Sequence, residues 1–216
     1  MEHAFWHDKW ANNEIGFHQP RPNGLLTGLL PGLVEDTAAR VFVPLCGKTL
    51  DIGWLLQRGH QVVGAELSRT AIEQLFAELD IDPVITQHGA LELFSGELFS
   101  GPSLDVWVGD IFEMTAEQLG WVEIIYDRAA LVALPDEMRR RYADHLRALT
   151  GTAPQLLLTF EYDQTQIKGP PFSLPETLVR DCYGEAYTLT KLRTVEVPDG
   201  GLKGHIPAMA VAWELR

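Results

Sequence analysis

Apolar positions along the chain change their period several times, and each change marks an element. Val41, Phe42, Val43 and Leu45 crowd together around one proline, as in a strand buried on both faces. Over 49–58 the spacing switches: Leu50, Trp54 and Leu55 recur at helical intervals, and Gly59 stands where a helix C-terminus favours glycine. Residues 61–66 return to a nearly continuous apolar run and predict a second strand. Ser68 is then placed to cap a helix whose buried stripe is Ala71, Ile72, Leu75, Phe76 and Leu79.

Further strands are predicted at 83–87, 104–108, 122–126 and 155–162. The stretch 93–101, LFSGELFSG, echoes itself over too short a span for a solenoid and reads as a loop or a small hairpin. Residues 136–150 make the clearest helix. Met138, Tyr142, His145, Leu146 and Leu149 share one face, and Arg139, Arg140 and Arg141 are assigned to the solvated one. A helix at 175–183 follows, then β-rich runs at 188–197 and 208–215 that predict an antiparallel pair. Strand alternating with helix and closing on a hairpin predicts an α/β fold of Rossmann-like type: one domain over 1–216, a mostly parallel seven-stranded sheet and a C-terminal antiparallel hairpin strand. Ligands bind such sheets beyond the carboxyl ends of the strands. Functional residues are therefore expected at 45–48, at Glu66, at 110–112, at Asp127 and Arg128, and at 162–163.

Composition narrows the classes. With 46% hydrophobic and 22% charged residues the chain is ordinary globular material, not a disordered one. Thirty acidic against 17 basic residues leave a formal charge of −13, which argues against nucleic acid and anionic membranes as partners. No apolar run approaches the roughly 20 residues that span a bilayer, and 1–10 lacks the pattern of a secretory signal. A cytoplasmic protein is expected. Cys46 and Cys182 form no metal-type pair, and neither a CxxC nor an HExxH pattern occurs, so no metal is called for.

Two strand ends carry the chemistry. Cys46, Gly47 and Lys48 follow the first strand, where a small residue allows close approach to a nucleoside. Glu66 ends the second strand, where a carboxylate accepts hydrogen bonds from both hydroxyls of a ribose. One glycine in place of a full GxGxxG favours S-adenosylmethionine, which has a ribose and an adenine but no pyrophosphate, over a dinucleotide. Asp110, Ile111 and Phe112 either hold an adenine or form a helix cap followed by core. Arg128 either binds a carboxylate or thiolate or pairs structurally with Asp127. Phe5, Trp6, Trp10 and Phe17 crowd into 1–24, which reads as an aromatic anchor and also as a lid that faces a sulfonium cation. His18, one of seven scattered histidines, is the weaker candidate for a base. Cys46 is read as a small space-filler rather than a nucleophile.

These blocks resemble the bacterial thiopurine S-methyltransferases. FWHDKW at 5–10, IGFH at 15–18, VPLCGKTLD at 43–51, GAELS at 64–68, YDRAAL at 126–131 and GPPF at 169–172 carry the resemblance, in the family's order and across nearly the whole chain. It implies the class I methyltransferase fold and methyl transfer from S-adenosylmethionine to the sulfur of an aromatic or heterocyclic thiol. It also implies cofactor contacts by Trp10, Leu45, Glu66, Ile111, Phe112 and Arg128, to which the turn after the first strand adds Gly47. The acceptor is placed with Phe17, His18, Arg128, Pro171 and Phe172. No strong general base is implied, since an aromatic thiol is already largely a thiolate. Bacterial relatives are linked to methylation of selenium and tellurium compounds, which adds metalloid acceptors to the expectation, and a monomer is expected. The alternatives are a nicotinamide-dependent oxidoreductase on a similar sheet and a sensor that binds S-adenosylmethionine without turnover.

Overall fold

In a computed structural model, residues 3–12, 18–36, 38–99 and 101–216 are described. They form nine strands, more than the seven-stranded sheet expected and one more than the eight stretches read as strands, the addition being β4: β1 (Arg40–Pro44), β2 (Gln61–Glu66), β3 (Val84–His88), β4 (Leu91–Glu97), β5 (Ser103–Val108), β6 (Ile124–Arg128), β7 (Gln155–Glu161), β8 (Leu189–Glu196) and β9 (Met209–Leu215). The helices are α1 (His3–Ala11), α2 (Gly24–Leu29), α3 (Leu50–Gln57), α4 (Arg69–Glu78), α5 (Ala116–Leu119), α6 (Asp136–Thr150) and α7 (Glu176–Tyr183). None among the described residues is long and apolar enough to cross a membrane. Two compact units divide the chain within β6, at Ile125 and Tyr126.

In the N-terminal unit the strands run in the order β3-β4-β5-β2-β1, with Ile124 and Ile125 of β6 beside β1. β1 and β2 are parallel from Arg40 opposite Gln61 to Pro44 opposite Ala65, and β2 and β5 are parallel up to Glu66 opposite Val108. The ends of three strands therefore reach one edge together. Val41, Phe42, Val62, Val63, Leu104 and Val106 are all buried. Each such side chain contributes about 1.5–3 kcal/mol, and this explains why the runs read as unbroken apolar stretches. The echo at 93–101 is a strand for most of its length: β4 pairs antiparallel with β3 on one side and β5 on the other. No alternation shows because its buried residues, Leu91, Phe94 and Leu98, are not two apart, and Leu91 and Phe94 lie on opposite faces of the strand. Thr49 and Ser68 cap α3 and α4, accepting from Asp51 N and Ala71 N at 3.3 Å each.

In the C-terminal unit the order is β6-β7-β9-β8, with β9 antiparallel to both β7 and β8. The hairpin strand expected from the sequence is thus present. Trp213 of β9 is buried, and its Nε1–H donates to Thr159 Oγ1 on β7 at 3.0 Å. β6 begins and ends two residues later than the pattern indicated, so Asp127 and Arg128 close the strand instead of following it. α6 has the bounds read from the sequence, and Gly151 ends it in the left-handed conformation at φ +61°. Arg139 departs from expectation. It is 4% exposed because 139, 142, 143 and 146 form the buried stripe of α6, leaving Arg140 and Arg141 to solvent.

Candidate functional site

The turn after β1 is tight: Leu45 has φ +46° and Gly47 φ +52°, and Cys46 N–H donates back to Ala65 O at 3.0 Å. This turn aims the buried Gly47 N–H at Glu66, donating to Oε2 at 2.7 Å, while Ser68 N–H donates to Oε1 at 2.9 Å. Glu66 is 6% exposed. Burial pushes its carboxyl above the ordinary carboxylate range, and the backbone donors at Ser68, Gly47 and Leu67 oppose that rise. Gly47 and Ser68 each give one oxygen a well-formed N–H bond, with Leu67 N–H also directed at the carboxylate, and lone-pair capacity remains for further donors set side by side. The vicinal hydroxyls of a ribose have that arrangement. The chemistry of the donor set therefore fits the nucleoside of S-adenosylmethionine.

The third strand end completes this edge. Gly109 N–H donates to Glu66 O at 2.9 Å. Gly109 lies at φ +141°, and an added Cβ would stand 2.5 Å from Leu91 Cδ2, so a side chain there is strained. Asp110 Oδ1 accepts from Phe112 N at 3.0 Å and caps the 3-10 turn Ile111–Glu113. Ile111 is buried and Phe112 half-buried. The cap-and-core alternative thus describes how the segment is built, and it holds Ile111 and Phe112 just past β5. Cys46 is buried with its thiol pushed well up by burial, which suits a space-filler and not a nucleophile. Its Sγ would lie 3.0 Å from a Cβ at Gly64, so the two small residues fit each other.

At the N-terminus, α1 packs against α4, and Trp10 is buried at 6% exposure. Phe5 and Trp6 meet edge to face with ring centroids 5.1 Å apart. Of these aromatics Trp10 is buried, while Phe5 and Trp6 are half-buried, and the packing described is of α1 on the helix α4. Phe17 lies outside the described residues, and His18 is half-buried.

Arg128, Pro171 and Phe172 belong to the C-terminal unit. Arg128 is half-buried at the end of β6 and is followed by Ala129 at φ +60°. Asp127, fully buried, holds that turn: Oδ1 accepts from Leu131 N at 3.1 Å and Oδ2 from the Tyr142 hydroxyl at 2.8 Å. Burial raises its carboxyl to about 6, against those two bonds, and pushes the Tyr142 phenol well up. Phe172 N–H donates to Val132 O at 2.7 Å, pinning its loop to the segment just after Arg128. Tyr162 OH donates to Pro171 O at 2.5 Å. The sequence pattern alone singles out neither the Asp127–Tyr142 pair nor the burial of Arg139. The helical spacing of Arg139, Tyr142, Ala143 and Leu146 is the available signal for both.

Parallel strands ending together, a tight turn after the first and a buried acid closing the second define a Rossmann-like nucleoside-binding fold. Magnesium protoporphyrin IX methyltransferase from Synechocystis, solved with bound S-adenosylmethionine, has this fold. The two match with a TM-score of 0.65 at 13% identity, covering 99% of this chain and 96% of that one. The class is that of the class I methyltransferases. The thiopurine S-methyltransferase family matches residues 1–206. A thiopurine S-methyltransferase of Xanthobacter autotrophicus is 52% identical over 216 residues, covering 100% of this chain and 99% of its own. Another, from Teredinibacter turnerae, is 48% identical over 215 residues, covering 100% and 97%. The chain belongs to the thiopurine S-methyltransferase family and is an S-adenosylmethionine-dependent methyltransferase.

Proposed function

We propose that the protein methylates the sulfur of aromatic or heterocyclic thiols, thiopurines among them. The observation that carries this reading is the Glu66 cradle, joined to the family's own activity. S-Adenosylmethionine would supply an electrophilic sulfonium methyl: the acceptor sulfur bonds to that carbon in line while the carbon–sulfonium bond breaks, and S-adenosylhomocysteine leaves with the electron pair. Glu66 receives the ribose hydroxyls, and its two backbone donors keep both oxygens oriented before the ligand arrives. The backbone of Leu45 and Gly47 allows close approach. Ile111 and Phe112 offer apolar faces to the adenine, and Trp10 is the aromatic group assigned to the sulfonium side. On the acceptor side, Arg128 is the group proposed to attract the thiolate, and the family resemblance assigns Pro171 and Phe172, as well as Phe17 and His18, to acceptor binding. Because an aromatic thiol ionises near neutral pH, positioning it is the main task and no side chain is assigned as a base. Selenium and tellurium compounds are proposed as further acceptors, since their anions are polarisable nucleophiles like thiolates. The protein is taken to act in the cytoplasm as a monomer, with Cys46 and Cys182 as free thiols.

The test is transfer of a radiolabelled methyl group from S-adenosylmethionine to mercaptopurine, with Glu66→Ala beside the unmodified chain. Two hydrogen bonds to a charged acceptor, at about 1.5–3 kcal/mol each, put the expected loss of cofactor affinity at roughly a hundredfold or more. Cofactor binding with no transfer to any thiol or metalloid acceptor would leave a sensor instead of an enzyme. Unchanged affinity in Glu66→Ala would remove the ribose assignment.

A further inference from the structure

Within the C-terminal unit, a cavity of about 730 Å³ opens beside Phe172, in the size range of small-molecule sites. Its wall includes Pro135, Asp136, Arg139, Lys168, Phe172 and Pro175. Arg139 is the unusual member: its side chain is 5% exposed, and its Nε–H is buried without an acceptor. Its other contacts hold it in place. Nη2 donates to Leu134 O at 3.0 Å, Nη1 meets Asp136 Oδ1 at 3.4 Å, and the Phe172 ring centroid lies 5.8 Å from Cζ.

Two helices also begin on this wall. α6 starts after Pro135 and α7 after Pro175, and neither N-cap residue supplies a side-chain hydrogen bond to the first turn. Both positive helix ends therefore meet the cavity without a side-chain cap. Lys168 is exposed and forms no ion pair among the described residues. Asp136 is the one carboxylate of the wall, and it is shared by Arg139 and Arg140, at 3.4 and 3.9 Å. Nearby Glu176, at the start of α7, is paired with Arg180 and Lys191. On a chain of formal charge −13, a cavity lined by Arg139 and Lys168 against Asp136 carries a local excess of positive charge.

We propose that this cavity is an oxyanion-binding site, taking a carboxylate or phosphate that is either dissolved free or borne on the methyl acceptor. A guanidinium binds an oxyanion through the donors of one edge of its fork, and Arg139 Nε–H, which is closed to solvent and has no acceptor, gains one when the side chain turns that edge toward the cavity. If the anion is borne on the acceptor, the inference rests on the thiol reading above; if it is free, it does not.

The full chain would be titrated calorimetrically with inorganic phosphate and with benzoate, and assayed for methyl transfer to 4-mercaptobenzoate and to thiophenol. Lys168→Gln is the main variant, since its side chain is exposed and makes no hydrogen bond or ion pair among the described residues; Arg139→Lys is the second, keeping the charge but losing the fork. Saturable binding of either anion, weakened about threefold to tenfold in Lys168→Gln and further in Arg139→Lys, is the expected result. A KM for 4-mercaptobenzoate that rises in the variants, with that for thiophenol unchanged, identifies the anion as part of the acceptor. Weakened titration with an unchanged ratio of the two KM values identifies a free anion. If neither thiol is methylated, the thiol reading fails while the titrations still decide the site. No saturable binding of either anion together with an unchanged KM ratio, or binding equal in all three proteins, overturns the proposal.

Discussion

Asp127→Asn isolates the electrostatic cost of the turn that carries Arg128. The Asp127 carboxyl is fully buried, and it is raised from the ordinary 3.8 to about 6, chiefly by desolvation. At ~1.4 kcal/mol per pH unit, that interval makes the ionised side chain cost about 3 kcal/mol in the folded state at neutral pH. Asparagine keeps the shape and the acceptor for Leu131 N–H but removes the charge. It also turns an NH2 toward Tyr142 and deprives that hydroxyl of its acceptor, a loss of about 1 kcal/mol. The variant should therefore be more stable than the natural chain at about pH 7, by roughly 2 kcal/mol.

The pH dependence is the sharper test. A carboxyl raised on folding binds its proton in the folded state before the unfolded chain does. The natural protein therefore gains stability from this group as pH falls from about 6 to about 3.8. The advantage of the variant should shrink by about 2–3 kcal/mol between about pH 7 and about pH 4. His60 is lowered by burial, so acidification through the ordinary histidine range destabilises the fold through it; this is common to both proteins and cancels in the difference. Urea unfolding midpoints at three pH values measure that difference. A gap between the two proteins that stays constant within about 0.5 kcal/mol across that range would refute the reasoning.

Gly47→Ala should cost about 1–2 kcal/mol, because a Cβ at φ +52° is strained, and should also weaken S-adenosylhomocysteine binding by misaligning the donor to Glu66. A fall in Tm of about 2–4 °C per kcal/mol is the readout, and an unchanged Tm would count against the turn's role. Ser68→Ala removes the α4 cap and should lower stability by about 1 kcal/mol; a denaturation midpoint equal to that of the natural chain would show that the cap contributes nothing.

Local order is legible in the residues themselves. The bounds of α6, the caps Thr49 and Ser68, and the placing of Glu66 at the end of a buried strand all follow from periodicity and capping, which neighbouring residues encode. The class of cofactor follows too, since an acid at the second strand end with a single glycine after the first suits a nucleoside without pyrophosphate. Other features require the register of elements distant in the chain. The strand character of 91–97 depends on partners in β3 and β5, and its apolar residues alone do not betray it. That Gly47, 19 positions before Glu66, presents its N–H to the carboxylate is a consequence of β1 lying parallel to β2. Asp127 becomes a buried carboxyl only because α6 brings Tyr142 over it, and Arg139 is buried by the same face of that helix. Sequence determines which side chains prefer water or the core within one element. Which polar groups meet in the interior is decided by how the elements pack, because desolvation and hydrogen bonding act through space, not along the chain.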